Sequence, residues 1–354
     1  MKDFDEYLYY PAIRTRPAEL LGYRQLSAAQ KDELLPLVTL GSWPRQDGLD
    51  ESMAQTEQAL DGRPYMLDLT REATYQLSEI RGLLDDGDDF RAWRKFVKKF
   101  DNAIPVIQLR EAKIPRITRQ TRAFIEAGRK IAFRIVDFRN DTPKVAAALA
   151  ALPSTENALV VIDAGYIRDS FQAISIACAD VINEIREDID DAIIALIASS
   201  FPASVASLAD PDSGGRRGLI SMLERPLHEG LGGSDVCIYG DHSSIHAKVY
   251  PTSGGRFACR IDYPLYDGWA FERRTDCKSD GYIDCAKSLI ETYPEIGDEE
   301  TWGARAIVRA AQGDIDGMKT AAMWIAARVN MHIARQLDLS ESGPLDDDES
   351  VFDE

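Results

Sequence analysis

The chain has 354 residues, 45% of them hydrophobic, and a formal net charge of -18 from 59 acidic and 41 basic side chains. That length and apolar content support a large buried core. The negative field opposes long-range attraction to nucleic acid or anionic membranes, while leaving room for a local basic pocket. No apolar run approaches the ~20 residues that span a bilayer, and the opening Met1-Lys2-Asp3-Phe4-Asp5-Glu6 has no apolar signal core, so the expected location is cytoplasmic. Cys178, Cys237, Cys259, Cys277 and Cys285 form no Cys-x-x-Cys pair and are expected to be reduced, mostly packing thiols.

Eight short apolar runs follow one another: residues 9–15, 34–40, 64–69, 104–109, 131–137, 158–163, 193–199 and 235–241. They are rich in Ile, Val and Leu and mostly not strictly alternating, as parallel strands covered on both faces should be. Amphipathic stretches lie between them, at 20–34, 70–81, 90–100, 117–128, 142–152, 170–190 and 218–229. Eight β–α units in order predict a closed (β/α)8 barrel of the TIM type with right-handed crossovers. An open doubly wound sheet is the competing arrangement. Beyond residue 244 the texture changes. Residues 245–251 and 256–263 flank Thr252-Ser253-Gly254-Gly255 and read as a β-hairpin, followed by Asp267-Gly268-Trp269 and a helical tail to Leu337 with Trp302, Ile307, Trp324, Ile325 and Val329 inward. The division is therefore a barrel core over 1–244, a hairpin and helices over 245–340 that complete and cover it, and an acidic, disordered end over 341–354. Residues 256–263 are the alternative eighth strand.

Several of these segments carry a resemblance. The opening Tyr10-Pro11-Ala12-Ile13-Arg14-Thr15-Arg16, followed by Glu19 and Leu20, resembles the start of the beta family proteins of phages, prophages and bacterial mobile loci, in which a strand ending in a basic residue precedes an acidic residue and a Leu-rich helix. Phe133-Arg134-Ile135 is similar to the family's basic fifth strand. The tail Trp324-Ile325-Ala326-Ala327-Arg328-Val329-Asn330-Met331-His332-Ile333 resembles its closing Trp and His helix, and Asp262-Tyr263-Pro264 with Trp269 is a looser match. Arg14 stands where the family would have lysine, and Met331 where a second histidine is common. The resemblance implies a cytosolic protein of phage or phage-defence context, without naming a reaction.

In a TIM-type barrel the working residues sit at the carboxyl ends of the strands. Here those ends carry Arg14, Asp68, Gln108, Arg134, Asp137, Asp163 and Asp241. Alternation puts Arg14 above Ala12 and Arg134 above Ala132, so both guanidinium groups point inward, where they would clamp a phosphate or carboxylate or pair with Asp68 or Asp163. Asp68, Asp137, Asp163 and Asp241 would, if convergent, hold Mg²⁺ or supply a proton-transferring carboxyl; otherwise each caps a helix or neutralises an arginine. Asp169 and Ser170 are further potential caps after the sixth strand. Gly214, Gly215, Arg216 and Arg217 precede the expected seventh helix, a position at which many barrels bind phosphate. His242 beside Asp241 is a candidate general base. His242 and His246 lack the His-Glu-x-x-His of a zinc helix, and His228 and His332 read as structural. Trp269, Trp302, Tyr263 and Tyr266 would pack in the core or wall the mouth.

Two functions fit these residues. In the first, an anionic, phosphate-bearing small molecule is clamped by Arg14 and Arg134 and hydrolysed by Asp68, Asp163, Asp241 and His242. In the second, the barrel is a non-catalytic scaffold whose Trp-bearing C-terminal region docks a phage or host protein. Direct nucleic-acid binding is the least favoured, given the acidic balance.

Overall fold

The structure is a computed structural model that describes residues 2–109, 111–248, 258–275 and 278–342. Nine of its eleven strands were anticipated as segments, and eight of them form the barrel. These eight are β1 (Tyr10–Arg14), β2 (Leu37–Leu40), β3 (Tyr65–Leu69), β4 (Ala103–Pro105), β5 (Ile131–Ile135), β6 (Ala158–Tyr166), β7 (Ile193–Ser199) and, after an inserted β8 (Arg217–Ser221), β9 (Ile238–Asp241). Every pairing among the eight is parallel, in the order β4-β3-β2-β1-β9-β7-β6-β5. A parallel bridge between Val106 and Ala132, with the Ile107 amide donating to the Ala132 carbonyl at 2.8 Å, joins the two ends. The protein is thus an α/β barrel of the TIM-like kind, and β9, not residues 256–263, is its eighth strand.

Period-two alternation explains the interior. Tyr10, Ala12, Leu37, Met66, Val106, Ala132, Val161 and Ile197 fill the barrel. Their neighbours Tyr9, Ile13, Val38, Leu67, Phe133, Ile162 and Leu196 face the helices. Burying one such Leu, Ile or Val contributes about 1.5–3 kcal/mol. Gly240 completes the interior of β9 because a Cβ there would lie 2.6 Å from the Tyr10 carbonyl oxygen and 2.7 Å from Ile197 Cγ2.

The helical layer differs from the expected one in four places, the first being residues 70–81, where an α-helix forms only over Ser78–Leu83 after a loop and a 3-10 turn at Ala73–Tyr75. Residues 20–34 hold two helices, Pro17–Arg24 and Ala28–Asp32, because Ser27 and Gln30 form a reciprocal capping box that starts a new helix. A helix not anticipated, Asp50–Leu60, joins β2 to β3; its buried face includes Ser52 and Thr56 beside Met53 and Leu60, a thin apolar stripe. Residues 217–221 form β8 rather than the start of a helix, which runs over Glu224–Gly230. β8 pairs with the new strand β11 (Gly268–Thr275), which also pairs with β10 (Ala258–Pro264), giving a three-stranded antiparallel sheet. The hairpin is therefore β10–β11. The described part of the first expected arm, 245–248, is not strand, and the remainder of that arm and its turn lie outside the described residues, as do Cys277 and residues 343–354. Cys178, Cys237, Cys259 and Cys285 are buried.

The C-terminal helix Ala321–Ser342 ties the sheet to the barrel. Trp324, Ala327 and Met331 enter the core formed with β10 and helices Gly281–Thr292 and Trp302–Ala311, while Val329, Ile333 and Leu337 enter the barrel's outer core. Gly22 permits the contact with helix Pro17–Arg24, since a Cβ there would sit 2.6 Å from the Ala326 carbonyl oxygen.

Candidate functional site

Continuing the interior alternation by one step builds a polar layer at the carboxyl ends of the strands. It consists of Arg14, Thr39, Asp68, Gln108, Arg134, Asp163, Ser199 and His242, one residue from each of the eight β–α units. Arg134 is its hub. Its Nη1 donates to Asp68 Oδ2 at 3.0 Å and to Thr39 Oγ1 at 3.1 Å, and its Nε and Nη2 donate to Asp163 Oδ2 at 3.0 and 2.6 Å. Gln108 Nε2 donates to the other oxygen of Asp68 at 3.1 Å. Asp163 Oδ1 meets His242 Nε2 at 2.9 Å and accepts the Gly165 amide.

Burial alone would raise the Asp163 pKa, but the facing His242 and Arg134 more than offset that and hold the carboxyl well below its ordinary range. Burial would likewise lower the Arg134 pKa, and its two carboxylates reverse the sign. Asp163 is therefore an acceptor and charge partner, unsuited to donate a proton. The two carboxylates that converge are turned onto a guanidinium. Among the described residues no group of three His, Cys, Asp or Glu side chains assembles a metal site. The donor set does not fit the hard-oxygen Mg²⁺ arrangement, which would require Arg134 to leave both oxygens.

Above this layer lies a cavity of about 250 Å³. Arg14 enters it differently from Arg134. Its Nε and backbone amide are held by Glu19 at 3.0 and 2.8 Å, and its two Nη groups make no hydrogen bond to a described residue. Arg71 and Lys248 also line the cavity; the closest carboxylate to Arg71 is Asp141 at 3.9 Å. His242 presents its ring to the same space, and its Nδ1 has no partner among the described residues. Tyr166 stacks on His246 at 4.3 Å at the rim.

Sequence reasoning placed Arg14, Asp68, Gln108, Arg134, Asp163 and His242 together, and the structure unites these six. It places the remainder elsewhere. Asp241 ends β9 directly before His242, so its side chain leaves the barrel on the opposite face. There it meets His332 Nε2 at 2.9 Å, the Tyr9 and Tyr239 hydroxyls and the Ser243 amide. His242 is consequently partnered by Asp163 rather than by its chain neighbour. Burial would raise the Asp241 pKa, but His332 and these donors lower it below the ordinary carboxylate value. Asp137 is exposed and caps helix Phe138–Ala150 through the Asn140 amide at 3.2 Å. Ser170 occupies an N-cap but makes no side-chain cap bond.

Gly214, Gly215 and Arg216 line a separate cavity of about 460 Å³ beside Arg273, and Arg217 pairs with Glu272 at 3.2 Å. The Gly214 and Gly215 amides donate to the Pro211 and Asp210 carbonyls, so they form no free phosphate cradle. The reason is β8: this loop enters a strand of the small sheet, not a helix. Trp269 is buried against His332, and Tyr263 is buried, so neither walls the mouth. Arg71, Lys248, Thr39 and Ser199 were missed. Thr39 and Ser199 were readable from the same alternation as Arg134, whereas Arg71 and Lys248 lie in loops assigned to a helix and a strand.

A wider cavity of about 820 Å³ opens beside the C-terminal helix, lined by Glu295, Glu299, Glu300 and Asp338 with Arg305, Arg335 and Trp302. Its carboxylates would repel an anion. No described helix is long and apolar enough to cross a membrane.

The family model described as "Beta protein" matches residues 9–338. "Protein beta" of Enterobacteria phage P4 is 43% identical over 340 residues, covering 96% of this chain and 95% of that protein. No solved structure matches the chain. The polar layer and its helical cover all fall within the matched region, and the chain belongs to the Beta protein family.

Proposed function

We propose that this barrel binds a small phosphate-bearing anion at its carboxyl-end mouth. The observation that carries the reading is Arg14. Glu19 fixes one edge of its guanidinium and leaves the other edge toward a cavity that Arg71 and Lys248 also line. A planar fork oriented in this way suits bidentate recognition of phosphate or carboxylate. Arg134 is the counterweight. It offsets one of the two charges on Asp68 and Asp163, so attraction for an anion rests on Arg14, Arg71 and Lys248 at the cavity wall.

Hydrolysis is the reaction class this mouth supports. His242 has Nε2 on an ionised Asp163 and Nδ1 toward the cavity, the arrangement in which a histidine takes a proton from an attacking water. Asp163 is then the group that orients the ring. Asp241 has no part in it.

Thermal unfolding of the full chain with inorganic phosphate, pyrophosphate and nucleoside mono-, di- and triphosphates tests the binding. At least one of them should raise Tm, and Arg14→Met should abolish the rise. A flat Tm with every anion would refute the reading. Phosphate release from the stabilising ligand, lost in His242→Gln with binding retained, tests the hydrolysis.

A scaffold function is the second reading, favoured by the pairing of Arg134 at all three of its nitrogens. It predicts a partner protein and silence of Arg14 and His242 substitutions in any assay of that partner. Its docking element is not the tail tryptophan, since Trp324 is buried with its Nε1 donating to the Met318 carbonyl. Truncation after residue 244 would remove part of the barrel's own outer core, including Val329 and Ile333.

A further inference from the structure

Charge is distributed unevenly in this acidic chain. Residues 91–130 contain twelve Lys and Arg against three Asp and Glu, within a protein whose net charge is -18. The fold gathers much of this excess into a groove of about 450 Å³ between helices Arg91–Val97 and Ile114–Glu126. Arg91, Arg94, Lys95, Lys98 and Arg129 line it, over a floor that includes Phe124, and Asp101 is the single carboxylate among its lining residues. Lys98, Asp101 and Arg129 come just before β4 and β5 begin, so the groove lies at the end of the barrel opposite the mouth.

The bonding leaves the charge available. Arg94 donates to the carbonyls of Asp88 and Asp89, and Arg129 to those of Phe100 and Ala103. These bonds orient the guanidinium groups, and the nearby Asp89 and Asp101 act on Arg94 and Arg129 without forming an ion pair. Lys95 and Lys98 are exposed and make no hydrogen bond or ion pair with a described residue. Arg91 alone among the five has a carboxylate partner, Asp88, at 3.3 Å with both side chains exposed. A cation near a helix C-terminus favours the helix dipole, a need that one or two side chains would meet. It does not account for five converging on one groove.

We propose that this groove is a docking site for the phosphodiester backbone of a nucleic acid. A protein partner with an acidic segment would satisfy the same charge, but protein interfaces rely on aromatic and aliphatic anchors at their centre and are depleted in lysine. None of the large exposed apolar side chains of the described chain (Ile114, Val136, Ile176, Leu219, Tyr266) lines this groove. Backbone binding to nucleic acid needs no such anchor, because counterion release supplies the affinity. The local field thus overrides the expectation set by net charge: at physiological salt the potential of distant carboxylates is screened beyond about 8 Å.

The test is fluorescence anisotropy of the full chain with labelled single-stranded and duplex oligonucleotides at 50 and 200 mM salt, with polyglutamate as competitor. Four cations without an ion-pair partner among the described residues predict a slope of log Kobs against log salt of roughly -3 to -4, a loss of about two orders of magnitude over that range. The K95Q/K98Q variant should reduce the slope by about 2, and K95E/K98E should weaken binding further still, at unchanged Tm and with the mouth's response to phosphate intact. Absence of saturable binding at 50 mM salt, or binding indifferent to both variants, overturns the proposal. Displacement by polyglutamate at least as effective as by unlabelled oligonucleotide also overturns it and assigns the groove to an acidic protein.

Discussion

Asp241, the last residue of β9, and His242 directly after it open onto two different charge networks, and the contrast separates a site from a brace. Outside the barrel, Asp241 is enclosed by His332, Tyr9, Tyr239 and the Ser243 amide, with Trp269 stacked on His332 at 5.5 Å between centroids. Burial pushes both tyrosine pKa values well up, so the hydroxyls remain donors to Asp241. A second sealed pair joins Arg328 of the same C-terminal helix to Asp262 of β10 at 2.6 Å. Inside the barrel, His242 and Arg14 belong to an equally bonded layer but keep ring and guanidinium atoms toward a cavity. A fully enclosed charge holds elements in register. A charge with one edge left open can act on something else. The turn that follows them holds Ser243 and Ser244 at φ of 52° and 61°, a left-handed backbone uncommon for residues other than glycine.

The largest effects should come from breaking each network at its centre. Replacing Arg134 with Met strands Asp68 and Asp163 as facing buried carboxylates, and replacing His332 with Ala leaves Asp241 without its imidazole partner. Either should cost about 3–5 kcal/mol in urea unfolding. The two should then part company. His332→Ala, assayed where it remains folded, should retain the anion-induced rise in Tm, and Arg134→Met should lose it. If both lose it, the sealed network is coupled to the mouth and the distinction drawn above is wrong.

Arg14→Met should be milder for stability, below about 1 kcal/mol, because the Arg14 side chain is 20% exposed and its pairing with Glu19 is partly screened. Its effect on ligand response should nonetheless equal that of Arg134→Met. A stability loss as large as that of Arg134→Met would mean that Arg14 is a brace as well.

The pH dependence should show the smallest difference. Asp163 and Asp241 have folded pKa values below their unfolded values. Their stabilisation is complete above the unfolded carboxylate pKa near 4 and is lost as pH falls through the folded values. Burial lowers the His228 pKa, so the unfolded chain binds its proton first and stability begins to decline as pH falls through about 6.5. Urea midpoints should therefore decline gently below about pH 6.5 and steeply below about 4, and Asp163→Asn should flatten the steep part. A midpoint that rises on acidification through that range would contradict the assigned signs.

The groove between the two basic helices sharpens the comparison from another direction. The mouth offers a fixed guanidinium edge within a small cavity, whereas the groove offers a row of lysine and arginine charges along an open surface. Loss of oligonucleotide binding in K95E/K98E, with the phosphate response of the mouth retained, would show that the two ends of the barrel recognise anions independently.

The eight strands were legible because helices cover every one of them, so the sequence of each reads as a compact apolar run. Inward-pointing Arg134 and Arg14 were legible because small residues, Ala132 and Ala12, lie two positions before them. The helix Asp50–Leu60 was not, because Ser52 and Thr56 occupy part of its buried face. β8 was not, because it is a strand through pairing with β11 some fifty residues away, and β11 was not, because it is held from both sides, by β8 and β10. The basic groove was hidden by the charge total, which sums over distances that salt screens.

The order of elements, the barrel and the polar character of its rim thus follow from chain-local pattern, since alternation and helical period are set by neighbours a few residues apart. Which charges meet does not. That Arg134 takes both Asp68 and Asp163, that His242 turns to Asp163 while Asp241 turns to His332 ninety-one positions away, and that Arg14 keeps an edge free were decided by barrel closure and the seating of the C-terminal helix. An ion pair is selected by distance in space and by the loss of water around it, and neither is written in the spacing of residues along the chain.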